Sequence, residues 1–129
     1  MGDAVLDSSA ALAFVLEEPG GDAAARHLPG ARISAVNLGE VVAKLRDLGM
    51  PAGTIGEVLD ALQLDMVPHD RDAAMAAGHL RPAPRVAGLS LGDRTCLALA
   101  RALGLPAVTA DRTWRTIAEA VGVDVELIR

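Results

Sequence analysis

"AVLDSSAALAF", residues 4–14, is the stretch on which the fold turns. A short apolar run, Val5 and Leu6, meets a carboxylate at Asp7, and good helix formers follow two serines. That is the pattern of a buried strand running directly into a helix. Asp7 has an ordinary explanation, an N-cap for that helix. It has a second one, a metal ligand at a strand end, and the rest of the chain bears on the choice.

Outward from this stretch the same alternation repeats. "GDAAARHL" (21–28) predicts a short second helix and "ARISA" (31–35) a second strand. "NLGEVVAKLRDLG" (37–49) carries Leu38, Val41, Val42, Leu45 and Leu48 at helical spacing, with Gly49 as its stop. "PAGTIGEVLDALQL" (51–64) starts a further helix at Pro51, with Ile55, Val58, Leu59 and Leu62 as its stripe. A third strand, "DMVPH" (65–69), precedes a helix at 71–80, and the Pro- and Gly-rich "RPAPRVAG" (81–88) predicts a loop. "SLGDRTCLALARALG" (90–104) is a strong helix, "LPAVTA" (105–110) a strand, "DRTWRTIAEAVG" (111–122) a helix and "VDVELI" (123–128) a fifth strand. Such alternation implies a mainly parallel sheet with helices on both faces. In those sheets ligands bind beyond the carboxyl ends of the strands, where Asp7 and Asp111 are expected.

The totals narrow the function classes. The 129 residues suit one domain, 51% of them are apolar, and the longest uncharged stretches, such as residues 8–16, are nine long. A membrane span needs about 20 apolar residues. Met1-Gly2-Asp3 does not begin a signal peptide, and a lone Cys96 allows no internal disulfide, so a cytoplasmic location is expected. A net charge of −5 argues against gripping nucleic acid by bulk positive charge. One Phe, one Trp and no Tyr leave little for base stacking on aromatics.

Four acids stand near predicted helix starts: Asp7, Glu40, Asp93 and Asp111. Taken singly, Asp7 and Asp111 fit N-caps, and Asn37-x-x-Glu40 and Ser90-x-x-Asp93 fit capping boxes. Converging on one sheet edge, they would repel one another and call for a hard divalent cation, Mg²⁺ or Mn²⁺. Other chemistries lack their motifs. His27, His69 and His79 have no zinc spacing, and Ser8 and Ser9 lie in no G-x-S-x-G context. Neither phosphate-binding glycine motif occurs. Cys96 and Trp114 fit a buried core, and Arg112 and Arg115 a solvated face.

At these residues the chain resembles PIN-domain ribonucleases, in particular VapC-type toxins of bacterial toxin–antitoxin pairs. "VLDSSAALAFVLEEPG" (5–20) resembles the family's opening, "ISAVNLGEV" (33–41) its glutamate motif, and "LSLGDRTCLALARALGLPAVTADRTW" (89–114) its third and fourth motifs run together. The resemblance implies a three-layer α/β/α sandwich over residues 1–129, with a five-stranded sheet in the order 3-2-1-4-5. It implies Mg²⁺- or Mn²⁺-dependent endonucleolytic cleavage of RNA, with Asp7, Glu40, Asp93 and Asp111 as metal-site acids. Ser9, Asn37 and Thr109 match supporting positions, and Arg94, Arg112 and Arg115 are candidates for RNA phosphate. It further implies a homodimer and a cognate antitoxin. The two amphipathic helices over residues 41–62 either pack both stripes on the domain's own sheet or offer the antitoxin a groove, through whichever of Leu45, Leu48, Ile55 and Leu62 are exposed. Two alternatives stand: a catalytically degenerate PIN scaffold, and a haloacid-dehalogenase-type phosphatase, whose D-x-D motif would need Asp where Ser9 stands. A phospho-receiver domain needs a Lys near the fifth strand, and the only Lys is Lys44.

Overall fold

The computed structural model describes residues 3–80 and 88–129. The loop expected at 81–88 therefore lies outside the described residues, apart from Gly88. In chain order the elements are β1 (Val5–Leu6), α1 (Ser8–Val15), α2 (Gly21–Ala25), β2 (Arg32–Ser34), α3 (Ala35–Asp47), α4 (Ala52–Leu62) and β3 (Asp65–Val67). They continue through α5 (Arg71–His79), α6 (Leu91–Leu103), β4 (Ala107–Thr109), α7 (Trp114–Val121) and β5 (Val125–Leu127).

The five strands form one sheet in the order β3-β2-β1-β4-β5, with every pairing parallel. This is the three-layer architecture and strand order expected above. Parallel neighbours need crossover helices, and these cover both faces. Val5 and Leu6, adjacent on β1, point to opposite sides, as strand geometry requires. Val5 joins Cys96, Leu97, Ala107, Trp114 and Ile117 beneath α6 and α7. Leu6 joins Ala10, Ala13, Ala24 and Val108 beneath α1 and α2. Ile33, Val41, Leu45 and Ile55 extend that second face under α3 and α4. Trp114 and Cys96 are fully buried, as core packing predicts.

The chain builds from β1 outward to β2 and β3, then returns to place β4 on the other side of β1. The direction of winding reverses between β1 and β4. The carboxyl end of that strand pair is the topological switch point, the usual ligand crevice of open α/β sheets. α6 feeds β4 and ends at Gly104, whose φ of 66° gives the left-handed cap expected there.

Three local expectations are corrected. α3 begins at Ala35 with Ser34 as its N-cap, so Asn37 and Glu40 form no capping box. α7 begins at Trp114, after Thr113, so Asp111 lies before the helix and does not cap it. The stripes of α3 and α4 face inward: Leu45, Ile55 and Leu62 are buried, and only Leu48 of the four expected groove residues is exposed.

Candidate active site

Asp7 follows β1 at the switch point. It caps α1: its Oδ1 accepts from the Ala10 N–H at 2.9 Å and from Ser9 Oγ at 2.7 Å. Its Oδ2 accepts from Thr109 Oγ1 at 2.6 Å. The ordinary explanation of Asp7 is thus correct, but it accounts for one oxygen only. The residue is 5% exposed. Burial pushes its carboxyl above the usual 3.8, the bonds from Thr109, Ser9 and Ala10 pull it back, and the charge of Asp93 pushes it up again. No cation among the described residues offsets that charge.

Thr109 and Ser9 stitch the ends of β1 and β4 together. Ser9 Oγ accepts from the Ala110 N–H at 2.9 Å, and Thr109 Oγ1 accepts from the Asp111 N–H at 3.0 Å. Asp111 Oδ1 accepts from the N–H and the hydroxyl of Thr113, at 2.9 and 2.7 Å. That side-chain turn fixes the carboxylate before α7 begins.

Glu40 and Asp93 come from facing helices, α3 and α6. Asn37 Nδ2 donates both to Glu40 Oε1, at 2.8 Å, and to the Gly92 carbonyl, at 3.1 Å. One buried amide thereby ties α3 to the first turn of α6. A Cβ at position 92 would stand 2.6 Å from Glu40 Oε1, so the carboxylate rests on a backbone that only glycine provides. Asp93 forms a full capping box with Ser90: its Oδ2 accepts from the Ser90 N–H, and Ser90 Oγ accepts from the Asp93 N–H, both at 3.1 Å.

Cys96, one turn further along α6, reports where these charges meet. Its buried thiol is pushed well up by desolvation first, then by Asp7, Asp93 and Glu40. Asp93 lies in the first turn of α6 and the Glu40 carboxylate rests against Gly92 there, while Asp7 and the Asp111 N–H meet at Thr109 Oγ1. Among the described residues no three Asp, Glu, His or Cys side chains are drawn close enough to enclose a metal ion. The side chains of the four acids offer only oxygen donors, and Asn37 Oδ1, fully buried, has no hydrogen-bond partner.

The arginines divide. Arg94 Nε reaches back to the Ser90 carbonyl at 3.4 Å and Arg112 Nε to the Arg129 carbonyl at 3.2 Å, while Arg115 is exposed. Two contributors escaped the sequence reading. Ser34 was legible as a residue type suited to capping, but it reads equally as strand. Gly92 carries no signal beyond its place before Asp93.

The PIN domain family model matches residues 4–120. No curated protein matches the chain. A toxin–antitoxin complex from Klebsiella pneumoniae contains a similar chain, with a TM-score of 0.74 and 19% identity over 98% of both chains. FitAB bound to an IR36 DNA fragment is similar at a TM-score of 0.67 and 15% identity, covering 97% of this chain and 94% of that one. PAE2754 from Pyrobaculum aerophilum is similar at 0.60 and 20%, covering 95% and 90%. At these identities the likeness is one of fold. With the family model spanning most of its length, this chain belongs to the PIN domain family.

Proposed function

We propose that the chain, as one domain over residues 1–129, is a divalent-metal-dependent endoribonuclease, the toxin of a VapC-type toxin–antitoxin pair acting in the cytoplasm as a homodimer. The observation that carries this reading is Asp7. A buried carboxylate, pinned through both oxygens at the switch point, feeling the charge of Asp93 and offset by no cation among the described residues, is costly to a fold that makes no use of it. The donor set of Asp7, Glu40, Asp93 and Asp111 suits Mg²⁺ or Mn²⁺, which take oxygen ligands. A bound cation of this kind supplies Lewis acidity and positive charge against phosphate.

The chain's own residues prepare that site. Ser9, Ala10 and Thr109 fix the Asp7 carboxylate, Asn37 fixes Glu40, and Ser90 fixes Asp93. Arg94, Arg112 and Arg115 are the proposed phosphate contacts.

An antitoxin partner is supported by the similar chain in a toxin–antitoxin complex from Klebsiella pneumoniae. The groove suited to it is displaced from the expected one. It holds about 1030 Å³ between the end of α1 and α4, lined by Phe14, Val15, Met50, Val58 and Leu62 and rimmed by Glu17, Glu18 and Asp22. Apolar anchors with basic flanks complement that surface.

One observation favours the second reading, a PIN scaffold without catalysis: every acid already has a local bond to make, and none of the described trios is closed around an ion. Incubating RNA with the purified chain in Mg²⁺, with and without EDTA, separates the two. Cleavage abolished by EDTA supports the nuclease. No cleavage in either condition supports the scaffold.

A further inference from the structure

On the face of the sheet away from the groove, α5 packs along α6. The inner side of α5 buries Ala77, and its C-cap Leu80 is buried with it. Its outer side carries Asp72, Met75, Ala76 and His79, and all four are exposed. They stand at i, i+3, i+4 and i+7, so they form one stripe on the helix surface. Met75 is the largest apolar side chain of that stripe, and it is 52% exposed. Two hollows flank the seam between α5 and α6 and share a floor of Ala76, Ala98 and Ala102. One holds about 220 Å³ and is edged by Asp70 and Asp72. The other holds about 340 Å³ and is edged by His79 and Arg101. The face is thus acidic at one end, basic at the other and apolar between.

We propose that this face is a two-fold interface between two copies of the chain, with α5 packed antiparallel on α5 of the second copy about an axis between Met75 and Ala76. This rests on the homodimer of the reading above and names the surface that forms it. Two observations select a second copy as the occupant. The first is charge. A two-fold axis sets residue i against residue j and j against i. Antiparallel pairing about Met75 and Ala76 sets Asp72 of each copy opposite His79 of the other, with Arg101 on the rim of the same hollow. The helix dipole alone favours an acid in the first turn of α5 and a base in its last. It does not account for Arg101, which belongs to α6 and adds its charge at the basic end. The second observation is shape. The same pairing sets the protruding Met75 of each copy against the small Ala76 of the other, beside the hollow of about 340 Å³. A knob and a hole lie side by side on one surface, which is what a self-complementary helix pair needs. The small side chains of Ala76 and Ala102 let the two surfaces approach closely.

The test uses the full chain in sedimentation velocity over a series of concentrations. The wild type is expected to sediment as a dimer. Arg101→Asp sets like charges across the axis and is expected to raise the dimer dissociation constant at least about tenfold. Asp72→Arg alone is expected to do the same. The double variant Asp72→Arg/Arg101→Asp restores opposite charges and is expected to return to within about threefold of the wild type. Both positions are exposed, and circular dichroism checks that each variant is folded. Oxidative cross-linking is the second readout. Ala76→Cys, next to the axis, is expected to form an intermolecular disulfide. The native Cys96 is fully buried, and Thr54→Cys, exposed on α4, is the control expected to form none. A dimer that folded Arg101→Asp leaves intact overturns the interface while sparing the homodimer. So does cross-linking through Thr54→Cys as fast as through Ala76→Cys. A wild type that stays monomeric at every concentration removes the interface and the homodimer together. RNA cleavage is decided separately, by the EDTA comparison above.

Discussion

Replacing Asp7 with Asn separates its two roles, because Asn caps helices as well as Asp does but lacks the charge that holds a divalent cation. In metal-free protein the charge is a burden. Burial raises the native carboxyl above its usual 3.8, so the folded chain keeps a proton that the unfolded chain releases. Stability therefore falls as pH rises from 3.8 towards the native value, by up to about 1.36 kcal/mol per pH unit, and stays at the lower level above it. The amide of Asp7→Asn does not titrate and escapes this loss. Its Oδ1 can face Ser9 and Ala10, and its Nδ2 can donate to Thr109 Oγ1 once that hydroxyl turns. Asp7→Asn is thus at least as stable as wild type without metal at pH 7, and its stability is flat across the range where the wild type declines. With Mg²⁺ at 100 times its dissociation constant the order reverses. Binding to the folded state alone stabilises the wild type by about 2.7 kcal/mol, roughly 10 °C in Tm for a chain of this size. The variant gains little of this. Differential scanning calorimetry between pH 4 and 8, with EDTA or Mg²⁺, measures both halves. Equal Mg²⁺ gains in the two proteins, or a large metal-free loss in the variant, would refute the reasoning.

Gly92→Ala drives a methyl into the Glu40 carboxylate, whose flexible end swings away and breaks the Asn37 bond. Tm should fall by only a few degrees, while RNA cleavage drops at least about tenfold. Thr109→Val removes the donor to Asp7 and the acceptor for the Asp111 N–H, leaving buried groups unpaired at a cost of about 1–3 kcal/mol by urea unfolding. Thr109→Ser should restore most of it. Phe14→Asp, on the groove wall, should weaken co-purification with the antitoxin without lowering the thermal stability of the free chain by more than about 1 kcal/mol. Leu45→Asp, by contrast, places a charge in the core and should unfold the chain, read by circular dichroism.

The layers were legible because parallel strands and amphipathic helices write their periods into the chain, whereas the strand order came only from the resemblance to the PIN family. Val5-Leu6 before Asp7, the Ser90 box and the Gly104 stop all lie where local physics places them. Helix starts proved harder. Ser34 through Val36 continues a strand pattern by composition, and only the Ser34 side-chain bond to the Val36 N–H reveals the cap. The purpose of Asn37 was hidden for another reason: its partner Gly92 is 55 residues away, and no local pattern encodes that contact. The inward stripes of α3 and α4 show the limit of periodicity. A stripe says that a face is buried, not whether its cover is this chain's own sheet or another protein. The nearness of Arg101 to the outer stripe of α5 carries no sequence signal, since only the packing of α5 along α6 brings Arg101 and His79 to one hollow.

The acid site itself is tested most directly by the single-turnover rate of RNA cleavage in Mg²⁺ for the wild type, Asp7→Asn and Asp93→Asn, each shown to be folded by circular dichroism. A site in which these carboxylates hold the cation predicts rates lower by at least about 100-fold in both variants, since each removes a ligand charge from the reaction centre. Wild-type rates in both folded variants would contradict it and leave the acids as helix caps alone.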